Sequence, residues 1–196
     1  MKIVGLVSGG KDSCYNLMKC LQNGHQIICL ANLYPPSSNS TDEIDSYMYQ
    51  SVAYMGVQLY SEACELPLYR REIKGKPMNV DADYKPTDDD EVEDLYELLA
   101  DVRLKHPDVE GVSVGAILSS YQKKRVENVC DRLNMKVLCY LWGMDQSKLL
   151  DEIINSQIDA IVVKVAALGL NSKHISQSLV DVCFIVHLPI FLTSLF

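Results

Sequence analysis

The stretch Ile3-Val4-Gly5-Leu6-Val7-Ser8-Gly9-Gly10-Lys11-Asp12-Ser13 decides the fold at the start of the chain. Its apolar part predicts a short buried strand over Ile3–Val7, and the glycine turn that follows leads into a helix over Lys11–Asn23. Such a turn points backbone N–H groups at a ligand from the positive end of a helix dipole, where phosphates bind. The stretch therefore predicts an anion cradle. The alternative is a simple helix-initiating turn capped by Ser or Asp.

Two familiar phosphate-binding patterns do not fit this turn. Gly5, Gly10 and Lys11 match the spacing of the Walker A motif, but Asp12 stands where that motif needs Ser or Thr. The dinucleotide fingerprint G-x-G-x-x-G is absent. The remaining pattern, S-G-G-K-D-S, resembles the PP-loop of the ATP pyrophosphatase superfamily, whose members cleave ATP to AMP and pyrophosphate. This resemblance implies nucleotide binding by Ser8, Gly9, Gly10, Lys11, Asp12 and Ser13.

Composition limits the class of protein. The chain has 196 residues, of which 48% are hydrophobic, which suits one globular domain or one domain plus a fragment. Its net charge of −8 argues against a broad basic surface, so we expect no stable binding of nucleic acid. The seven cysteines form no CxxC pair, which favours small core residues in a reducing compartment. No signal peptide is evident, and the expected location is the cytoplasm.

Predicted strands and helices alternate along the chain. The strands are predicted at Ile3–Val7, Gln26–Leu33, Val57–Tyr60, Gly111–Gly115, Lys136–Leu141 and Ala160–Val165. Helices are predicted at Lys11–Asn23, after the capping box Ser40-Thr41-Asp42-Glu43, after the acidic cluster at 88–94, after a Ser119 or Ser120 cap, and at Gln146–Ser156. Repeated βα units with apolar strands predict an α/β fold, a parallel sheet with helices on both faces.

Ligands of such sheets bind at the carboxyl ends of the strands. The loops Ser8–Ser13, Ala31–Ser40 and Gly115–Gln122 are therefore the candidate site, and Glu65–Thr87 is predicted to be a long loop beside it.

A second constellation follows the fourth predicted strand. Tyr121, Arg125 and Asn128 are spaced i, i+4, i+7, so they share one face of a helix. A binding surface is one interpretation of this face. The other is a solvated helix face with ordinary pairs such as Lys123 with Glu127.

Four segments together resemble the diphthine–ammonia ligase (diphthamide synthetase) family. They are S-G-G-K-D-S, E-V-E-D-L-Y-E-L-L at 91–99, G-A-I-x-S-x-Y-Q-x-x-R-V-E-x-V-C at 115–130, and L-W-G at 141–143. The resemblance implies a Rossmann-like fold of the adenine nucleotide alpha-hydrolase type. It also implies amidation of diphthine on translation elongation factor 2, with ATP and ammonium as co-substrates and an acyl-adenylate intermediate.

The resemblance also implies roles for particular residues. Lys11 and Asp12 would be catalytic, with Lys11 stabilising the departing pyrophosphate and Asp12 orienting the loop or holding Mg²⁺. Ala31 and Asn32 would contact adenine through the backbone. The pocket for the acyl-adenylate or the protein substrate would be lined by Gly115, Ser119, Tyr121, Gln122, Arg125 and Glu127. Acids in the first turn of a helix usually complement its dipole, but Glu91 with Asp94 could instead meet a metal or ammonium.

The expected organisation is an ATP-binding domain at 1–174, including the start of the family's C-terminal region, and an atypical apolar tail at 175–196. The family's G-E-G-G-E-Y-E-T motif is missing from this tail. The tail is interpreted as a replaced C-terminus, with a packed last element or a membrane span as alternatives. Two other functions stay open: a PP-loop enzyme that modifies tRNA, and an ATP-binding isoform with impaired catalysis.

Overall fold

The computed structural model describes residues 1–36, 46, 48, 49, 54–165 and 170–186, with side chains as far as Cys183. Its strands are β1 Lys2–Leu6, β2 Gln26–Tyr34, β3 Leu68–Glu72, β4 Gly111–Ser113 and β5 Lys136–Leu138. Its helices are α1 Lys11–Gln22, α2 Val57–Cys64, α3 Glu91–Lys105, α4 Ser120–Arg132, α5 Gln146–Asn155 and α6 Leu179–Val186.

The strands form one parallel sheet in the order β3-β2-β1-β4-β5. Strand β1 lies at the centre of the sheet, with β2 on one side and β4 on the other. The carboxyl ends of β1 and β4 form the topological switch point, where ligands of such sheets bind. The predicted α/β class and parallel sheet are confirmed.

Helices cover both faces of the sheet. On one face, Val4, Ala31 and Val112 pack with residues of α3 and α4, such as Leu99 and Val129. On the other face, Leu17 of α1 and Val57 of α2 pack with Leu30 of β2 and with Val7, which follows β1. The two apolar layers hold β1 buried on both sides, as its continuous apolar sequence predicts.

The prediction of the third strand was wrong. Val57–Tyr60 is the first turn of α2, and β3 lies at Leu68–Glu72, inside the predicted loop Glu65–Thr87. Val57 and Tyr60 face the same apolar cluster while Leu59 is exposed, which is helical spacing. A four-residue apolar run does not distinguish these cases. Beyond β3, residues 73–90 contain no strand, only an isolated bridge between Lys76 and Asp90.

The predicted helix after the capping box at 40–43 lies mostly outside the described residues. Of its four apolar positions, Met48 is in a bend and Met55 is in a 3₁₀ turn that leads into α2. Ile44 and Val52 are not described.

The chain divides into two compact units, Met1–Trp142 and Gly143–Phe196. The second unit contains α5 and α6, whose Leu150 and Val182 are buried together. The predicted sixth strand at Ala160–Val165 was wrong. Ile161 makes only an isolated antiparallel bridge with Ser178, and its side chain is 57% exposed, so these residues lack the burial that a sheet strand of this class requires.

The described helices include none that is long and apolar enough to cross a membrane. The seven cysteines are free, and Cys20, Cys29 and Cys130 have no exposed surface. Burial raises the pKa of the Cys29 and Cys130 thiols to about 12, so these side chains stay protonated. They act as small core residues, as the sequence predicts.

Candidate nucleotide-binding site

The loop Ser8–Ser13 joins β1 to α1 at the carboxyl edge of the sheet. Gly9 has a φ of +86°, a left-handed conformation that a side chain would strain. Gly10 is the N-cap of α1, and no side chain caps the helix. Because the first N–H groups of a helix have no intrahelical acceptor, the N-terminus of α1 presents donors to an anion.

Two serines brace the loop from within. The Ser13 hydroxyl donates to the Gly10 carbonyl at 2.9 Å and accepts from the Ser8 N–H at 3.3 Å. The Ser8 hydroxyl accepts from the Gly10 N–H at 3.4 Å. On the opposite side, the Tyr60 hydroxyl of α2 lies 3.5 Å from the Gly9 carbonyl. These contacts hold the loop in a defined shape before any ligand arrives.

Lys11 and Asp12 form a charged pair at the mouth of the loop. The Lys11 ammonium lies 3.0 and 2.9 Å from the two carboxylate oxygens of Asp12, and each side chain is 25% exposed. A lysine in this position is a mobile cation that a phosphate can attract away from its carboxylate. The pair therefore keeps Lys11 at the loop without fixing it there.

Gly115 brings the loop after β4 against the PP-loop. A Cβ at this position would lie 2.8 Å from the Ser13 nitrogen and 2.9 Å from both the Asp12 carbonyl carbon and the Ser13 Cα. Backbone atoms cannot give way to such a contact cheaply. Gly115 thus allows the two loops of the switch point, which the sequence predicts at the same edge of the sheet, to touch.

Asn16 is a buried polar residue of α1 that the sequence analysis missed. Its amide donates to the Ser113 hydroxyl at 2.8 Å and to the Leu138 carbonyl at 2.9 Å, and its carbonyl accepts from the Tyr140 N–H at 2.9 Å. These bonds fix α1, and hence the PP-loop, to β4 and β5. Its position in the sequence could have indicated burial. Asn16 is three residues after Ser13 and four before Cys20, so the three share the buried face of α1.

We expect Asn16→Ala to lower the free energy of unfolding by about 2–4 kcal/mol, because it leaves several buried polar groups without partners. Urea denaturation measures the change. Asn23→Ala at the C-cap of the same helix is the matched control, since Asn23 is exposed and the described contact of its side chain is with the Lys19 carbonyl. Equal losses from the two variants would show that the buried network adds nothing.

Ala31 and Asn32, the predicted adenine contacts, lie inside β2 and are buried. The Ala31 carbonyl accepts from the Val7 N–H at 2.9 Å. The Asn32 amide donates to the Val7 carbonyl at 2.9 Å, and its oxygen accepts from Arg70 at 3.0 Å. Strand β2 continues to Tyr34, so its carboxyl end lies two residues beyond Asn32. Adenine binding by this strand stays a prediction.

The predicted substrate residues on α4 have defined partners. Ser119 is the N-cap and accepts from the Gln122 N–H at 3.3 Å, and the Gln122 amide donates to the Met48 carbonyl at 3.0 Å. Glu127 is paired with Lys123 at 2.7 Å on the surface, the ordinary i,i+4 pair of the alternative interpretation.

Arg125 has no exposed surface and anchors a loop. It donates to the carbonyls of Asn79 and Asp81 at 2.6 and 3.1 Å, and its guanidinium lies 3.3 Å from the centre of the Tyr121 ring. Contact of Tyr121, Gln122, Arg125 or Glu127 with a substrate stays a prediction.

The acids that begin α3 are used in different ways. Asp90 caps the helix, accepting from Val92, Met78 and Asn79, and Asp94 accepts from the Lys74 and Gly75 N–H groups at 2.8 Å. Glu93 pairs with Arg132 at 2.7 Å and accepts from the Tyr84 hydroxyl at 2.8 Å. Glu91 is 1% exposed, and its Oε1 has no hydrogen-bond partner within the described part of the chain. No group of three or more metal-ligating side chains occurs among the described residues.

Comparison with known proteins identifies relatives of the chain. Residues 1–137 match the family model of the diphthamide synthase N-terminal domain. The diphthine–ammonia ligase of Danio rerio is 54% identical over 188 residues, covering 95% of this chain and 73% of the relative. The Homo sapiens enzyme is 55% identical over 181 residues, covering 91% and 67% respectively.

The chain spans only part of its longer relatives. The diphthine–ammonia ligase of Schizosaccharomyces pombe is 53% identical over 181 residues, which are 92% of this chain but 30% of that protein. Among solved structures, a predicted subunit of a tRNA methyltransferase from Methanocaldococcus jannaschii aligns with a TM-score of 0.42 at 13% identity, covering 85% of this chain and 81% of that chain. That similarity is too weak to support an argument. The family model and the high identities to the Danio rerio and Homo sapiens enzymes show that the chain belongs to the diphthamide synthase, or diphthine–ammonia ligase, family.

Proposed function

We propose that this protein is an AMP-forming amide ligase that converts protein-bound diphthine to diphthamide with ATP and ammonium. The observation that carries the proposal is the Ser8–Ser13 loop, seated at the switch point and held against Gly115. The diphthine–ammonia ligase name of relatives at about 55% identity supports the choice of reaction. The protein substrate would be translation elongation factor 2, which bears diphthine.

The loop geometry suits pyrophosphate as the group that leaves ATP. The substrate carboxylate would attack the α-phosphorus, forming an acyl-adenylate while the bond to the β-phosphate breaks. Negative charge then grows on the pyrophosphate. The N–H groups at the start of α1 would stabilise this charge from fixed positions, and the Lys11 ammonium would join them by leaving Asp12. Ammonia would then displace AMP from the adenylate.

Magnesium fits this loop only as a partner of the nucleotide. Asp12 offers one carboxylate. No group of three or more metal-ligating side chains is found in the part of the chain that the structure describes. Mg²⁺ commonly takes one or two carboxylates, with phosphate oxygens and water completing its shell. Asp12 would therefore hold Mg²⁺ together with the phosphates, where the ion supplies further charge neutralisation. Lys11 would exchange its contact with Asp12 for a phosphate.

The substrate side of the site would be the surface after β4. Gly115 touches the PP-loop, and Ser119, four residues later, caps α4. Tyr121 and Gln122 lie in the first turn of that helix, at the same edge of the sheet. In this proposal they contact the acyl part of an adenylate whose phosphate lies at Ser13. The roles of Arg125 and Glu127 would be indirect, through the 79–81 loop and Lys123.

The proposal is tested by incubating diphthine-bearing elongation factor 2 with ATP and isotopically labelled ammonium, using this chain and a version extended with a relative's C-terminal region. We expect ATP-dependent label in the factor and release of AMP and pyrophosphate. Label with the extended version alone would assign this chain the role of an ATP-binding module with impaired catalysis. ATP turnover that depends on tRNA, with no label in the factor, would contradict the proposal.

A further inference from the structure

Glu91 differs from the other acids at the start of α3 because part of its carboxylate is unused. Asp90 and Asp94 accept backbone N–H groups, and Glu93 is paired with Arg132. Glu91 is buried as deeply as these, yet Oε1 has no partner among the described residues. An unpaired carboxylate oxygen in the protein interior is costly, so its retention calls for a ligand.

The surroundings of Glu91 are built to hold it in place. The Tyr49 hydroxyl donates to its backbone carbonyl at 3.0 Å, and Gly75 lies so close that a Cβ would meet the Glu91 nitrogen at 2.5 Å. Burial raises the pKa of the Glu91 carboxyl. The Ser46 hydroxyl, the Met48 backbone and the Arg125 charge partly oppose this rise, while the nearby Asp90 adds to it.

Negative charge exceeds positive charge around Glu91. Glu93 is paired with Arg132, whereas Arg71 lies 3.9 Å from Asp94 and is shared with Glu97 and Asp101. The charges of Asp90 and Glu91 are opposed by that of Arg125 alone among the described residues near them, so these surroundings favour a cation.

Glu91 lies on the active side of the sheet. Helix α3 follows β3 and runs back to β4, so its first residue is at the carboxyl edge of the strands. Helix α4 begins at the same edge, with Tyr121 in its first turn. A small cation held there would be on the side of the substrate surface proposed above.

From this geometry we propose that Glu91 binds the ammonium co-substrate through Oε1 and takes a proton from it. The proposal rests on the amide ligase function. In this step one proton passes from ammonium to the carboxylate, and the nitrogen lone pair forms the C–N bond with the adenylate carbonyl. The C–O bond to AMP breaks, with its electron pair going to the phosphate oxygen. The second proton leaves the nitrogen for solvent.

Glu91→Gln tests the proposal, because it keeps the size of the side chain and removes its charge. We expect the apparent KM for ammonium to rise about 10- to 100-fold, as expected for losing one charged hydrogen bond, with ATP–pyrophosphate exchange within about twofold of wild type. Hydroxylamine, which is largely unprotonated at neutral pH, should restore product formation in the variant. Glu97→Gln, on the half-exposed face of the same helix, is the matched control.

A binding measurement tests the ammonium site independently of the proposed ligase activity. Ammonium chloride should raise the unfolding temperature of the wild-type protein by about 3 °C over tetramethylammonium chloride at equal ionic strength, and should not do so in Glu91→Gln. Such a shift without any amidation would keep the ammonium site and reject the ligase function. Amidation with an unchanged KM for ammonium in Glu91→Gln, and no ammonium-specific shift, would overturn the site and leave a buried water as the partner of Oε1.

Discussion

Lys11→Ala is expected to reduce acceptor-dependent ATP–pyrophosphate exchange by about 10²- to 10³-fold, the usual effect of removing one donor that stabilises developing charge. The fold should survive, because the Lys11 side chain is partly exposed and its described contact is with Asp12. Initial rates at saturating ATP measure the effect, and the thermal unfolding curve checks that the variant is folded.

Lys19→Ala is the matched control for this variant. It removes the same charge from the same helix, at a position where the ammonium lies 5.0 Å from the centre of the Tyr15 ring and two turns away from the loop. We expect exchange by this variant to match wild type. A Lys11→Ala protein that exchanges at the wild-type rate would show that Lys11 takes no part in releasing pyrophosphate.

Gly115→Ala is expected to weaken ATP binding by about 10-fold or more, because its Cβ would push directly on the Asp12–Ser13 backbone and displace loop donors whose misplacement by an ångström is costly. Isothermal titration with ATP measures the affinity. The free energy of unfolding should also fall, by about 1–3 kcal/mol, as for other overpacked sites.

Gly56→Ala is the control variant for Gly115→Ala. A Cβ at Gly56 meets none of the described atoms within 4 Å, and the residue has a right-handed helical conformation that alanine adopts easily. This variant should bind ATP like the wild type and be as stable or slightly more stable. If Gly115→Ala and Gly56→Ala bind ATP with equal affinity, the Ser8–Ser13 loop does not pack closely against the loop after β4.

The first βαβ unit could be predicted from the sequence because each of its signals is local. Residues 3–7 are apolar without interruption, Gly9 supplies the left-handed turn, and Gly24 ends α1 with a φ of +76°. Strand β3 could not be predicted in this way. Its sequence, Leu-Tyr-Arg-Arg-Glu, is mostly charged because β3 is at the edge of the sheet, where Arg70 bonds Asn32 and Arg71 pairs with Glu97.

The sequence predicts the Ser8–Ser13 and Gly115–Gln122 loops at the same edge of the sheet, but their direct contact depends on strand order. Only the pairing of β1 with β4 brings Gly115 to Ser13, over a separation of about a hundred residues. Likewise, the sequence offers no way to separate Glu91 from Asp90 and Asp94. Their difference lies in which backbone N–H groups the 74–79 segment presents to each carboxylate.

In the proposed reaction the Ser8–Ser13 loop holds the pyrophosphate of ATP while a protein carboxylate is adenylated. Exchange of radiolabelled pyrophosphate into ATP, measured with and without diphthine-bearing elongation factor 2 and with no ammonium present, tests it most directly. We expect exchange that requires the factor and is lost in Lys11→Ala. Binding of ATP without any exchange, or exchange that ignores both the factor and Lys11, would contradict this role of the loop.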